Sequence, residues 1–304
     1  MRIDCHCDTV ANFIKYPSLQ CLPDAHMDYQ RLREYLDVSF FAVFIDQKQW
    51  GQDTPGEFQR VLGLLAEDVS RQEDIDLLLW REQLEQPQHK LILAGMEGAE
   101  GLGEHCAHLQ TYYEQGLRLI GPTWNYATPY AGSNVTGGGL TEQGGELVRR
   151  CNQLGVLLDA AHSSEASLDD MLACSEKPLI DSHTVCAAIC DDWPRSINDR
   201  QLVALADKGG VACITMVPDF LGGEGGLEQF CRHVEHAVAL IGSEHVGIGA
   251  DYDGAELLPE LAGVQKLPAV YDRLRQRGMK EEDLQQVMGG SVQSLLIQVL
   301  NTKG

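Results

Sequence analysis

The residues best equipped for chemistry stand at the ends of apolar runs. The chain opens MRIDCHCDTV, in which Asp4, His6 and Asp8 alternate with Ile3, Cys5 and Cys7. Successive side chains of a strand face opposite ways. This spacing therefore predicts Asp4, His6 and Asp8 on one face and the apolar set on the other. His6 and Asp8, nearer the strand's end, offer an imidazole and a carboxylate to a metal, and the cysteines are assigned to packing. Alone, His-x-Asp is a weak signal, because a polar surface strand carries it by chance. The segments ILAGMEG, VLLDAAHSS, PLIDSHT and VGIGADYDG add Glu97, His162, His183 and Asp251 behind apolar runs in the same way. One His after a strand is usually a hydrogen-bonded structural residue. Three imidazoles and three carboxylates converging on one place are harder to explain so, since buried charge is costly unless paired or metal-bound. Imidazole with carboxylate suits Zn2+, and Mn2+ or Fe2+ less specifically. His6, Asp8, Glu97, His162 and His183 are too many ligands for one catalytic zinc with an open position. They suit two ions about 3.5–4 Å apart that share a carboxylate and hold a hydroxide between them, because bound water can be acidified to a pKa of about 7.

Such a gathering requires the runs to lie side by side. Apolar, β-branched stretches at 3–8, 38–45, 91–97, 118–121, 156–161, 178–183, 211–217 and 246–251 alternate with segments of helical period. Thr54-Pro55-Gly56-Glu57 reads as a capping box with Pro at the first helical position. Phe58, Val61, Leu62, Leu65 and Val69 then share a face. Leu227, Phe230, Val234, Val238 and Ile241 make a similar stripe. Alternating strands and helices predict parallel βαβ units. This many units predict an α/β fold of the (β/α)8 TIM-barrel type, with an open doubly wound sheet as the alternative. In the barrel the site would lie at the C-terminal ends of the strands. The 304 residues show no internal repeat and no linker, so 1–304 is expected to form a single catalytic barrel domain. A net charge of −22 disfavours nucleic acid and anionic lipid as partners. No apolar run approaches the ~18 residues that span a bilayer. The N-terminus runs directly into a strand without the pattern of a leader, so a cytoplasmic location and mostly reduced, buried cysteines are expected.

Taken together, these residues resemble the renal (membrane) dipeptidase family of zinc metallopeptidases, within the amidohydrolase-like barrels. The resemblance runs nearly end to end. Asp4, His6 and Asp8 match the family's opening Asp-x-His-x-Asp. Glu97 in MEG looks like its metal-bridging carboxylate, and GLTEQGGELVRRCNQLGVLLDAAHSS, DSHT and GADYDG match its later blocks. The resemblance implies that His6, Asp8 and Glu97 hold one zinc and His162, His183 and Glu97 the other. A bridging hydroxide would attack the peptide carbonyl, and Asp251 would pass the water's proton to the leaving amine. WPRSIND is similar to the segment carrying the family's substrate arginine, with one inserted residue. Arg195 would thus pair with the dipeptide's terminal carboxylate. The substrate is expected to be a dipeptide, including one with a C-terminal D-residue, and the family's habit points to a homodimer. Two departures fall on the substrate side. Trp124 stands where a substrate-contacting histidine is usual, and Val217 where a tyrosine is frequent. Indole accepts no proton, so Trp124 is expected to act as a stacking wall. The same departures keep a second reading open, a related dinuclear amidohydrolase acting on another small amide or an N-acyl amino acid.

Other pairs read as structural. His233 and His236 of RHVEH are three apart but off the Phe230/Val234/Val238 stripe, which predicts a solvated face. Cys186 and Cys190 lack a second pair at zinc-finger spacing. GGGLTEQGG lacks the Lys-Ser/Thr ending of a phosphate loop. His26, His89, His105, His108 and His245 show no partner pattern.

Overall fold

A computed structural model describes residues 1–45, 53–190 and 195–303. The apolar runs form strands β1 (Ile3–Cys7), β2 (Val38–Phe44), β3 (Lys90–Glu97), β4 (Leu117–Gly121), β5 (Leu157–Leu158), β6 (Ile180–Cys186), β7 (Val211–Ile214) and β8 (Val246–Ile248). β1 to β5 pair in chain order, as do β6 to β8, and every ladder is parallel. Two seams join the halves. Asp159 bridges to Ile180 between β5 and β6, and Cys7 to Tyr252 between β1 and the end of β8. The second seam is carried by Asp8 N donating to Tyr252 O at 2.8 Å and Asp251 N to His6 O at 3.1 Å. These bridges close the sheet into the expected barrel and rule out the open alternative. Short strands Ile75–Leu77 and Ser196–Ile197 flank β3 and β6; neither is long enough to show a period in the sequence.

Two hydrophobic layers follow from the alternation. Ile3, Val38, Phe40, Leu91, Leu93, Leu119, Leu157, Val211 and Cys213 fill the barrel interior. They are plugged from the N-terminal side by Val292, Leu295, Leu296 and Val299, so the polar residues are left at the opposite mouth. Phe41, Val43, Ile92, Ala94 and Met96 face outward against Phe58, Val61, Leu62 and Leu65 of α1 (Thr54–Ser70). Helix α1 is capped one residue earlier than the capping box predicts, because Asp53 Oδ1 accepts from Gly56 N at 3.2 Å.

The strict alternation expected of β1 does not hold. Asp4 pairs with Ser39, but Cys7 pairs with Phe41, so β1 carries one extra residue, a β-bulge. Cys5 therefore packs in the interior layer while Cys7 packs outward. Asp4 leaves the face it was expected to share with His6 and Asp8. Its Oδ1 accepts from Ala250 N at 2.9 Å and its Oδ2 from Ser39 Oγ at 3.4 Å, stitching β1 to its neighbours. Strand β6 has the same irregularity between Asp181 and Thr184. Both bulges lie beside histidines of the mouth.

His233 also departs from expectation. It lies on α2 (Gly226–Ile241) and is fully buried. Phe230, His233, Val234 and Ala237 follow the i, i+3, i+4, i+7 spacing of one inward stripe. Its Nδ1 accepts from Cys186 N and its Nε2 donates to Leu221 O, both at 3.0 Å. His236 is half-buried against Asp199 at 2.8 Å. No described helix is long and apolar enough to cross a membrane.

Candidate metal centre and substrate pocket

The mouth of the barrel collects the side chains singled out in the sequence. His6 comes from the bulged end of β1, Asp8 from the residue just past it, and Glu97 from the last position of β3. His183 comes from the bulge of β6. His162 and Asp251 follow β5 and β8, and both adopt left-handed backbone, with φ of 63° and 64°. Non-glycine residues rarely do so, and here the turn aims each side chain back over the barrel axis.

Glu97 is the hub. Its Oε1 lies 2.8 Å from His162 Nε2, 3.6 Å from His183 Nε2 and 3.6 Å from His6 Nε2. His6 Nε2 is also 3.6 Å from Asp8 Oδ2 and 4.0 Å from Asp251 Oδ1. The ligand atoms of His6, Asp8 and Glu97 lie within 4.8 Å of one another, and so do those of Glu97, His162 and His183. A third such group is His6, His183 and Asp251. His6 Nε2 is buried yet has no hydrogen-bond partner among the described residues. Contacts of 3.6 Å are too long for hydrogen bonds, but two ~2.1 Å bonds at a tetrahedral zinc hold their ligand atoms about 3.4 Å apart. The donor set and the orphaned nitrogen fit a cation.

The electrostatics agree. Burial alone would depress His6, but Glu97, Asp8 and Asp251 outweigh it and lift its pKa to about 10. Burial raises Asp8 and Glu97, and it carries Asp251 to about 6 against the pull of His6. A mouth that must charge an imidazole to offset its carboxylates is one that a cation would neutralise. His162 and His183 are pushed below their ordinary value by burial, with the charges of Arg195 and His6 adding to it. They stay neutral, the form that ligates.

Neighbours that the sequence did not reveal orient these groups. His162 Nδ1 meets Asn125 Oδ1 at 3.1 Å, which directs Nε2 toward Glu97. Ser182 Oγ meets His183 Nδ1 at 2.9 Å and His6 Nδ1 at 3.4 Å. Asp159 Oδ1 accepts from Ala161 N at 3.0 Å and Ser182 N at 2.9 Å, tying together the strand ends that carry His162 and His183. Around Asp251, Asp253 Oδ1 accepts from His26 N at 2.5 Å, Asp253 N donates to His26 Nδ1 at 3.1 Å, and Thr9 Oγ1 donates to Asp253 Oδ2 at 2.6 Å. His26 is thus structural, with a partner that no local spacing announces.

The cluster forms the floor of a cavity of about 650 Å3 whose lining includes Asp8, Glu97, His162, His183, Arg195, Asp251 and Trp124. Arg195 Nη2 donates to His183 O at 3.0 Å. Trp193 and Pro194 of WPRSIND lie outside the described residues. The Trp124 ring stands 4.5 Å from that of Phe44, 5.4 Å from Tyr126 and 6.1 Å from His162, an aromatic wall on one side. Val217 does not join this lining. It is buried at the start of the short helix Pro218–Leu221, and Phe220 from that helix reaches the cavity instead.

Comparison with known proteins sets this geometry beside others. The profile of the membrane dipeptidase family (peptidase family M19) matches residues 1–303. Dipeptidase 3 of Rattus norvegicus is 28% identical over 283 residues, covering 88% of this chain and 57% of that protein. The chain thus spans a little over half the length of that relative. The solved structure of dipeptidase AC, a metallopeptidase of family M19, superposes with a TM-score of 0.90 at 25% identity, over 99% of each chain. A metallopeptidase from Rhodobacter sphaeroides, liganded with a phosphinate mimic of the dipeptide L-Ala-D-Ala, gives 0.89 at 25% identity, over 98% of this chain and 99% of that one.

Proposed function

Since the chain belongs to the membrane dipeptidase family, we propose that it hydrolyses the peptide bond of dipeptides, including those with a C-terminal D-residue, at a pair of zinc ions. Residues 1–304 would act as one catalytic barrel. The observation that carries this reading is Glu97 Oε1 within 3.6 Å of three imidazole nitrogens, so that two ligand groups share one carboxylate. His6, Asp8 and Glu97 would hold one ion, and Glu97, His162 and His183 the other. When bound, such ions acidify water and polarise a carbonyl.

The chain's own residues do the rest. Asp251 lines the same cavity as Glu97, with its Oδ1 4.0 Å from His6 Nε2. It takes the proton of the attacking water and returns it to the leaving amine, acting as base and then acid. Arg195, held by the His183 carbonyl, pairs with the terminal carboxylate of the substrate and fixes its register over the cluster. The wall of Phe44, Trp124 and Tyr126 packs against a substrate side chain and excludes water there. That wall also supports the second reading, a small amide or N-acyl amino acid substrate, because an indole supplies only one N–H donor. Metal analysis coupled to a panel of L,L- and L,D-dipeptides, N-acyl amino acids and cyclic amides tests both. Two equivalents of zinc with dipeptide turnover is expected. Turnover confined to N-acyl amino acids or cyclic amides would transfer the assignment to the second reading.

A further inference from the structure

Behind the substrate pocket, between the ends of β5 and β6, lies a second cavity of about 30 Å3. Arg195 lines both cavities. Four residues around the small one present buried polar atoms with no partner among the described residues: Asn134 Oδ1, Ser163 Oγ, Asp181 Oδ1 and Arg195 Nε. Asp181 is only 5% exposed. Buried polar atoms are rarely left unsatisfied, and several facing one void need a common partner. Two are carbonyl or carboxylate oxygens that only accept, one is an N–H that only donates, and one is a hydroxyl that does either. Water, which donates two hydrogen bonds and accepts two, matches that set. It needs only about 10–15 Å3 of such space.

We propose that this cavity holds ordered water bridging the Asp181 carboxylate to Arg195 Nε, and that Asp181 is thereby a positioning residue for the guanidinium. The proposal rests on the reading of Arg195 as the group that binds the substrate carboxylate. Arg195 Nη2 is already tied to the His183 carbonyl. A second tether at Nε fixes the plane of the fork, so that the donors left over meet a carboxylate without first being ordered. Asp181 and Arg195 favour one another's charged forms, which offsets part of the cost of burying both.

The test compares a dipeptide with the same dipeptide amidated at its C-terminus, on zinc-loaded wild type, Asp181→Asn and Arg195→Lys. Asp181→Asn is expected to raise KM for the free-carboxylate dipeptide by about tenfold, equivalent to 1.4 kcal/mol, with kcat little changed and metal content intact. The amide should be processed as by wild type, since it presents no carboxylate to Arg195. Equal losses on both substrates would place the effect in the metal shell through His183 and overturn the proposal, as would no change on either. If Arg195→Lys leaves the dipeptide-to-amide ratio untouched, the fault lies in the reading of Arg195, and both fall together. A high-resolution crystal structure of the wild type decides independently of kinetics. Water within hydrogen-bond distance of Asp181 Oδ1 and Arg195 Nε is expected, and a dry cavity or an Asp181 turned out of it overturns the bridge.

Discussion

In the proposed reaction Asp251 and Trp124, which line the same cavity, contribute in opposite ways. Asp251 Oδ1 is 4.0 Å from His6 Nε2, close enough for exchange with water at the cluster and able also to reach the position of a ligand. Asp251→Asn separates these roles. As a proton carrier its loss lowers kcat by roughly 10²–10⁴-fold while both zinc ions remain, read by turnover and metal analysis on one preparation. Loss of an equivalent of metal from that variant would make Asp251 a ligand first. Trp124 touches no proton in this scheme and acts through its ring. Trp124→His removes a face worth about 0.5–1.5 kcal/mol against an aromatic partner. It should shift the preference between aromatic and small side chains by roughly 2–10-fold in kcat/KM, and an unchanged profile across the panel would deny it a pocket role.

Among the elements, α2 is linked to the end of β6 through a buried imidazole. His233 is the pin, with its Nδ1 accepting from Cys186 N and its Nε2 donating to Leu221 O. His233→Leu leaves both backbone groups buried without partners and should cost about 1–3 kcal/mol in denaturant unfolding. Burial holds the imidazole below its ordinary pKa of 6.5, although the Leu221 carbonyl favours its charged form. The unfolded chain therefore binds that proton more readily than the folded one. The contribution of His233 is complete above about pH 6.5 and shrinks as pH falls. A His233→Gln variant should accordingly show a flatter decline of stability between pH 6.5 and acid than wild type, measured on matched metal-loaded samples. Parallel curves would mean that the pin titrates elsewhere.

At the scale of the molecule, the charge cluster sits on top of the plugged core and ties the two halves of the barrel across their seams. The proposed ligands come from the ends of β1, β3, β5 and β6, on both sides of the β5–β6 seam, so bound ions would cross-link the barrel. Removing them leaves buried carboxylates and imidazoles facing one another. Chelation is therefore expected to abolish turnover and to lower the melting temperature, by roughly 2–4 °C for each kcal/mol lost, with both restored by added zinc. A melting curve indifferent to chelator would show that the mouth is stable without cations.

The sequence alone determined the class of the molecule and which side chains gather at the barrel mouth. Strand and helix periods are local properties, and the residues at the ends of apolar runs were readable as soon as the runs were. Glu97, His162, His183 and Asp251 could be named in this way without any knowledge of their distances. Only the tertiary structure decided which way β1 turns its side chains, because a bulge is set by pairing with β2 and leaves no period of its own. It likewise decided that His233 is buried, that Val217 gives way to Phe220 in the pocket wall, and that Asn125, Ser182, Asp159 and Asp181 stand behind the cluster. Each of these depends on a neighbour far away in the chain, and contacts between distant segments are fixed by packing and by the satisfaction of buried polar groups, neither of which a local pattern encodes.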